Sequence, residues 1–196
     1  TAEKNHRPLA LVWINSPSNP TGKVLSQDEL REIVKWAQQN EIVVASDECY
    51  IELGWTTNPI SILAKDVIGD SAKNILAVHS LSKRSNFAGY RAGVLVGDEK
   101  LIKQILEIRK HAGMLVPAPV QSAMAIALTD EVHVVEQAER YAARRDVLRP
   151  ALEKAGFTVE FSDAGLYMWC TRNESDWDSV SWLADRGVLA TPGHFY

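Results

Sequence analysis

Two short apolar runs fix the topology at the start of this 196-residue chain. Leu9-Ala-Leu-Val-Trp-Ile14 and Ile42-Val-Val-Ala45 read as buried strands, and the stretch between them has helical spacing. Ser26 and Glu29 form a capping box, after which Leu30, Ile33, Val34 and Ala37 recur at helical period until about Asn40. Between the first strand and that helix lies the turn cluster Asn15-Ser-Pro-Ser-Asn-Pro-Thr-Gly22. A strand, a helix and a strand at this length make a parallel crossover. With further strands expected at 75–79 and 92–96, the first half reads as α/β.

The second half changes character. Helices are expected over Asp98 to His111 and Ala118 to Ala155, with Pro117 and Pro119 breaking between them and Gly156 stopping the second. Phe157 to Phe161 and Leu166 to Thr171 read as strands, Asp178 to Asp185 as a helix and Val188 to Ala190 as a last strand. The expected organisation is part of a mainly parallel-sheet large domain over 1–115, followed by part of a smaller α+β domain over 116–196. No internal repeat or low-complexity segment interrupts it.

The chemistry is concentrated in Ser80-Leu-Ser-Lys83 and Arg91-Ala-Gly93. Ile75-Leu-Ala-Val78 and Ala92-Gly-Val-Leu-Val96 read as buried strands on either side of this link. A lysine just past a buried strand sits in low dielectric, which disfavours its charged form and frees the amine to form a Schiff base. Lys83 is therefore the candidate nucleophile. The Ser80 and Ser82 hydroxyls can donate to phosphate oxygens, and Arg91 offers a planar fork that grips phosphate. An ordinary surface loop with a structural arginine would account for the same residues.

In an open parallel sheet, ligands bind beyond the carboxyl ends of the strands. Three such ends carry polar groups in order: Asn19-Pro-Thr-Gly22, Asp47-Glu-Cys-Tyr50, then Ser80 and Lys83. A buried Asp47 needs a donor or a cation, and a pyridinium nitrogen would be one. Asn19 and Tyr50 can donate to a phenolic oxygen. Each residue taken singly also fits a turn, a cap or a core edge. Their joint order is what points to a pyridoxal 5'-phosphate site.

The run Ser80-Leu-Ser-Lys-Arg-Ser-Asn-Phe-Ala-Gly-Tyr-Arg-Ala-Gly93 resembles the lysine signature of class I/II pyridoxal-phosphate aminotransferases of fold type I, and the other two motifs resemble that family's in the same order. The resemblance implies Lys83 as the Schiff-base lysine and proton shuttle, Ser80 and Arg91 on the phosphate, Asp47 on the pyridine nitrogen, and Asn19 and Tyr50 on the phenolic oxygen. It also implies amino-acid and 2-oxo-acid substrates and a homodimer when intact. Leu11 to Gly22, Ala45 to Tyr50 and Arg109 to Gln121 resemble actinobacterial succinyldiaminopimelate transaminases, which move an amino group from glutamate to N-succinyl-2-amino-6-oxopimelate on the route to lysine and diaminopimelate. Family members are about twice as long. A phosphate loop, a ring-stacking aromatic and a substrate-carboxylate arginine fall outside this sequence, so the chain alone is expected to bind the cofactor weakly and not to turn over.

Composition excludes other classes. A net charge of −4 without a long basic cluster argues against nucleic acid and anionic membrane. No apolar run approaches the ~20 residues of a membrane span, and Thr1 to Arg7 has no signal-peptide core, so a cytoplasmic location is expected. Cys49 and Cys170 make no C-x-x-C pair and read as reduced, and the five histidines lack metal-ligand spacing. No metal is expected. His79 reads as a strand residue with a satisfied ring, Trp169 as core, and Arg140, Arg144, Arg145 and Arg149 as a solvated helix face. Two other functions share some of these features: a pyridoxal-phosphate lyase of the same fold, and a non-catalytic sensor domain of a transcription regulator.

Overall fold

The structure, a computed structural model, describes residues 9–196. The expectation for Thr1 to Arg7 lies outside the described residues. Four strands form one sheet in the order β1 (Leu11–Asn15), β2 (Val43–Asp47), β3 (Ile75–Ser80), β4 (Gly93–Gly97). The first three are parallel, with Leu11 opposite Val43 and Val44 opposite Ile75, whereas β4 runs antiparallel with Ser80 opposite Gly93. All three parallel strands therefore end on one edge, at Asn15, Asp47 and Ser80.

Helix α1 (Gln27–Asn40) makes the crossover from β1 to β2. Its cap is the one the sequence predicts: the Ser26 hydroxyl accepts from Glu29 N at 3.3 Å, and Glu29 Oε2 accepts from Ser26 N at 2.7 Å. The apolar stripe of α1 buries Leu30, Val34 and Ala37 against Val44, Ile75 and Ala77 of the sheet. Ile62 from the β2–β3 connection and Val67 from the short helix α2 (Lys65–Ile68) close that core. On the opposite side of β1, Leu11 and Trp13 are left exposed by the described residues.

Strand β4 is not buried as expected. It lies at the sheet edge and leaves Gly93 and Val96 exposed, because among the described residues no strand pairs beyond it. Gly93 has a steric reason to be glycine: a Cβ there would stand 2.8 Å from the His79 carbonyl oxygen. The strand leads into α4 (Glu99–His111), capped by Asp98, whose carboxylate accepts from Lys100 N and Leu101 N and also from Asn74 N at 2.7 Å.

The single helix expected over Ala118 to Ala155 is two, α5 (Ala118–Thr129) and α6 (Val132–Lys154). Asp130 breaks the run: its backbone is extended, and its side chain accepts from Val132 N at 2.9 Å, starting a new helix. The later strands shrink to a two-residue pair, β5 (Thr158–Val159) with β6 (Cys170–Thr171). Val188 to Ala190 forms no strand, since no neighbouring chain among the described residues supplies a ladder. Helix α7 spans Asp176–Ala184, starting two residues before the expected Asp178.

The two halves meet at the first turn cluster. Gly22 has φ +74°, and a Cβ on it would lie 2.3 Å from the Ala164 carbonyl oxygen. Ser162 N donates to the Thr21 carbonyl and Ala164 N to the Gly22 carbonyl, both at 3.0 Å. Trp55 Nε1 adds a bond to the Gly165 carbonyl at 2.6 Å. Arg145, expected on a solvated helix face, instead turns inward: its Nη2 donates to Ser162 O at 2.8 Å and its guanidinium lies 4.9 Å from the Trp55 ring centroid. Burial holds that guanidinium below the usual arginine range, with the charge of Arg149 adding to the effect.

Candidate active site

Asp47 and Ser80 stand at the carboxyl ends of neighbouring strands because β2 and β3 pair in parallel, Asp47 opposite Val78. Ser80 caps α3 (Leu81–Arg84), its hydroxyl accepting from Ser82 N at 3.1 Å. Lys83 is on that one-turn helix, half-buried, and no ion pair among the described residues uses it.

Cys49 follows these groups closely. Its N–H donates to Asp47 Oδ1 at 3.1 Å. Burial, and then the adjacent Asp47, push the thiol up to about 12, while Ser80 and the Lys83 charge oppose this. A thiol so placed stays protonated near neutral pH and is no nucleophile.

Tyr50 is 5% exposed. Burial first, then neighbouring Tyr167, push its phenol up to about 12, so it too remains a donor at neutral pH. Asn19 is exposed in its turn, and it reaches the strand ends through Asn15. Asn15 Oδ1 accepts from Asn19 N at 2.7 Å, while Asn15 Nδ2 donates to the Asp47 carbonyl at 3.0 Å and the Pro17 carbonyl at 3.2 Å.

Arg91 comes to the same edge through backbone pairing. Leu81 N donates to the Ala92 carbonyl at 3.3 Å, and Gly93 lies opposite Ser80. The Arg91 guanidinium is exposed, and its Nη1 donates to the Ala88 carbonyl at 2.9 Å rather than to a carboxylate. Asp47, Tyr50, Ser80, Ser82 and Lys83 are thus gathered at one sheet edge, whereas Asn19 and Arg91 approach through their backbones with side chains turned to solvent. The carboxylate, hydroxyls and amine gathered there could hold a phosphorylated pyridine aldehyde, with the Arg91 guanidinium near the same edge but directed to solvent.

Beneath this edge lies a layer that the motifs do not announce. Glu48 is 1% exposed; its Oε1 accepts from Ile62 N at 2.7 Å, and its Oε2 lies 3.4 Å from His79 Nε2. The residue after Asp47 thereby lies beside the residue before Ser80. His79 is, as expected, a strand residue, but among the described residues its ring is not satisfied by a hydrogen bond: Glu48 Oε2, 3.4 Å from Nε2, is buried without a hydrogen-bond partner. Asn15 and Cys49 were missed as site residues, although one ends the first strand and the other sits inside the Asp-Glu-Cys-Tyr motif. Trp169 lies beside Tyr196, their ring centroids 6.2 Å apart, in a cavity of 620 Å³ that also includes Pro20, Tyr167 and Pro192. Among the described residues no three His, Cys, Asp or Glu cluster as a metal would require, and no helix is long and apolar enough to cross a membrane.

Residues 1–196 match the family described as Aminotransferase class I and II. The chain is 58% identical over 194 residues to the 4-dedimethylamino-4-oxo-anhydrotetracycline transaminase OxyQ of Streptomyces rimosus, a match covering 99% of this chain and 54% of that one. The crystal structure of an aminotransferase from Neisseria meningitidis superposes with a TM-score of 0.81 at 34% identity, over 89% of this chain and 45% of that one. N-succinyldiaminopimelate aminotransferase from Mycobacterium tuberculosis superposes with a TM-score of 0.82 at 28% identity, over 93% and 49%. The chain spans about half the length of the relatives it matches.

Proposed function

Because this chain belongs to the class I and II aminotransferases, we propose that the full-length protein transfers an amino group between an amino acid and a 2-oxo acid, with Lys83 as its reactive amine. Family members work with pyridoxal 5'-phosphate, which when bound supplies an electron sink for the substrate's α-carbon. Lys83 offers the amine that holds the cofactor and moves a proton at that carbon. The hydroxyls of Ser80 and Ser82 and the guanidinium of Arg91 hold phosphate oxygens. Asp47 supplies the anionic acceptor for a ring N–H, and the neutral Tyr50 phenol and the Asn19 amide donate to the phenolic oxygen.

The observation that carries this reading is the placement of Asp47 and Ser80 at the ends of neighbouring parallel strands, with Lys83 on the helical turn that Ser80 caps. The group for the ring nitrogen, the group for the phosphate and the amine thus leave one end of the same sheet. The division into parts at residues 115 and 116, a homodimeric assembly and a cytoplasmic location are proposed with it, on the family's pattern.

For substrates, the proposal is glutamate as donor and N-succinyl-2-amino-6-oxopimelate as acceptor, supported by the likeness to the mycobacterial N-succinyldiaminopimelate enzyme. The 58% identity to OxyQ favours a second acceptor class, a polycyclic ketone of the anhydrotetracycline type. The test uses full-length protein loaded with pyridoxal phosphate and given L-glutamate without an acceptor. Up to one 2-oxoglutarate per Lys83 is expected, and each acceptor is then offered in turn. Ammonia release from a cysteine-type substrate with no 2-oxoglutarate from glutamate would replace transfer with lyase chemistry.

A further inference from the structure

The two residues that follow Lys83 are both committed to the elbow between α5 and α6. Arg84 Nη1 donates to the Ala127 carbonyl at 2.8 Å, and Arg84 also pairs with Glu131 and, at 3.5 Å, with Glu52 in the segment after Tyr50. Ser85, 8% exposed, ends α3 and donates its N–H to the Leu81 carbonyl at 3.0 Å. Its hydroxyl is 2.9 Å from His133 Nε2, and His133 Nδ1 is 2.9 Å from Asp130 Oδ2.

The chemistry of these groups gives the chain a direction. An ionised carboxylate only accepts, so His133 Nδ1 carries a proton and donates to Asp130. In neutral His133, Nε2 then accepts from the Ser85 hydroxyl, whose oxygen is 3.4 Å from Arg84 Nη1. A guanidinium, a hydroxyl, an imidazole and a carboxylate are thus linked in sequence from the residue beside Lys83 to the break between two helices. His133 holds the Asp130 carboxyl below the usual carboxylate range. The arrangement resembles a hydrolytic triad in composition, but Ser85 is only 8% exposed and its hydroxyl lies between His133 and Arg84, so it holds structure rather than attacks a substrate.

We propose that His133 is a positioning residue for Lys83: with Asp130 behind it, it fixes Ser85 and therefore the helical turn that carries the lysine amine. The inference rests on the reading of Lys83 as the cofactor-binding lysine. A one-turn helix has little stability of its own, so its geometry is set by what its last residues hold. Helix α6, 23 residues long, carries the same anchor towards the second half of the chain, so a shift of α6 would be felt at Lys83.

The test uses full-length protein loaded with pyridoxal phosphate, carrying Ser85→Ala, His133→Ala, the double substitution, or Asp130→Asn, which keeps one of the two acceptors that serve Val132 N and His133 Nδ1. First, borohydride reduction must label Lys83 in the unsubstituted protein; absence of that label defeats the functional reading itself. Given the label, S85A and H133A are each expected to slow the glutamate half-reaction about fivefold, the effect of one ordinary hydrogen bond. The KM for glutamate should change less than twofold, and the pH midpoint of the cofactor absorption band should move. The double variant should match the singles, and D130N, which gives up one of its two bonds, should fall between them and the unsubstituted protein. Unchanged band and rate in both single variants, or losses that multiply in the double, would overturn the proposal, with circular dichroism confirming that each variant is folded.

Discussion

Asn15 Nδ2 donates to the Asp47 carbonyl at 3.0 Å, so the end of the first strand holds the end of the second. The same amide's oxygen accepts from Asn19 N, which makes Asn15 the tie between two of the three motifs. Replacing Asn15 by Ala removes three hydrogen bonds, at about 0.5–1.5 kcal/mol each. The expected outcome is a loss of roughly 2 kcal/mol in stability together with weaker cofactor binding, read by urea unfolding and by titration with pyridoxal phosphate. Asn15→Asp keeps the acceptor for Asn19 and loses only the donor, so it should fall between the two. Equal behaviour of Asn15→Ala and the unsubstituted protein would remove Asn15 from the account.

Gly22 has no room for a side chain. Its φ of +74° is left-handed, and a Cβ would meet the Ala164 carbonyl at 2.3 Å. Gly22→Ala should cost at least about 1–2 kcal/mol from the backbone alone, plus the displacement of the 162–164 segment. Thermal unfolding measures it. A melting point within error of the unsubstituted protein would show that the two halves do not meet as described.

Asp98 links β3 to α4, and its three backbone donors, with Asn74 foremost, hold its carboxyl below the ordinary aspartate value. The sign follows from linkage. A carboxyl whose folded value is depressed contributes stability that is fully present above its unfolded value and is lost as pH falls through the folded one. Asp98→Ala should therefore destabilise at pH 7 by about 1 kcal/mol, the worth of an N-cap, and by less at pH 3. Asp98→Asn should keep much of the cap and flatten the acid limb. Denaturant midpoints against pH separate the two variants, and an Asp98→Ala penalty that grows towards acid would contradict the assignment.

The Cys49 thiol, at about 12, should resist alkylation. Iodoacetamide at pH 8 is expected to modify it far more slowly than a free cysteine, since the thiolate reacts and little is present. Mass spectrometry of the Cys49 peptide follows the rate. Rapid labelling at pH 7 would show an ionised thiol and contradict a half-buried Cys49 beside the Asp47 carboxylate.

Much of this was legible in the residues, and the failures have physical causes. The α1 capping box and its apolar stripe dictate one crossover, and α1 appears with Ser26 as its cap. Lys83, Ser80 and Asp47 lie at strand ends because strand order and parallel pairing place them there. Asn15 stayed hidden because its role depends on a neighbouring strand's backbone, which no local pattern records. The break at Asp130 was invisible to periodicity, since apolar residues continue on both sides and only a side-chain bond to Val132 N starts the second helix. Arg145 read as solvated because an arginine stem and head can bury when a carbonyl and an indole wait for it, as Ser162 and Trp55 do. Val188 to Ala190 has the composition of a strand and lacks the partner to be one.

The most direct measurement is borohydride reduction of the full-length protein with added pyridoxal phosphate, followed by peptide mapping. A pyridoxyl group on the peptide containing Lys83, lost in Lys83→Ala, is the predicted result. A label on another lysine, or on none while the protein binds the cofactor, would contradict the placement of the reactive amine beside Ser80 and Asp47.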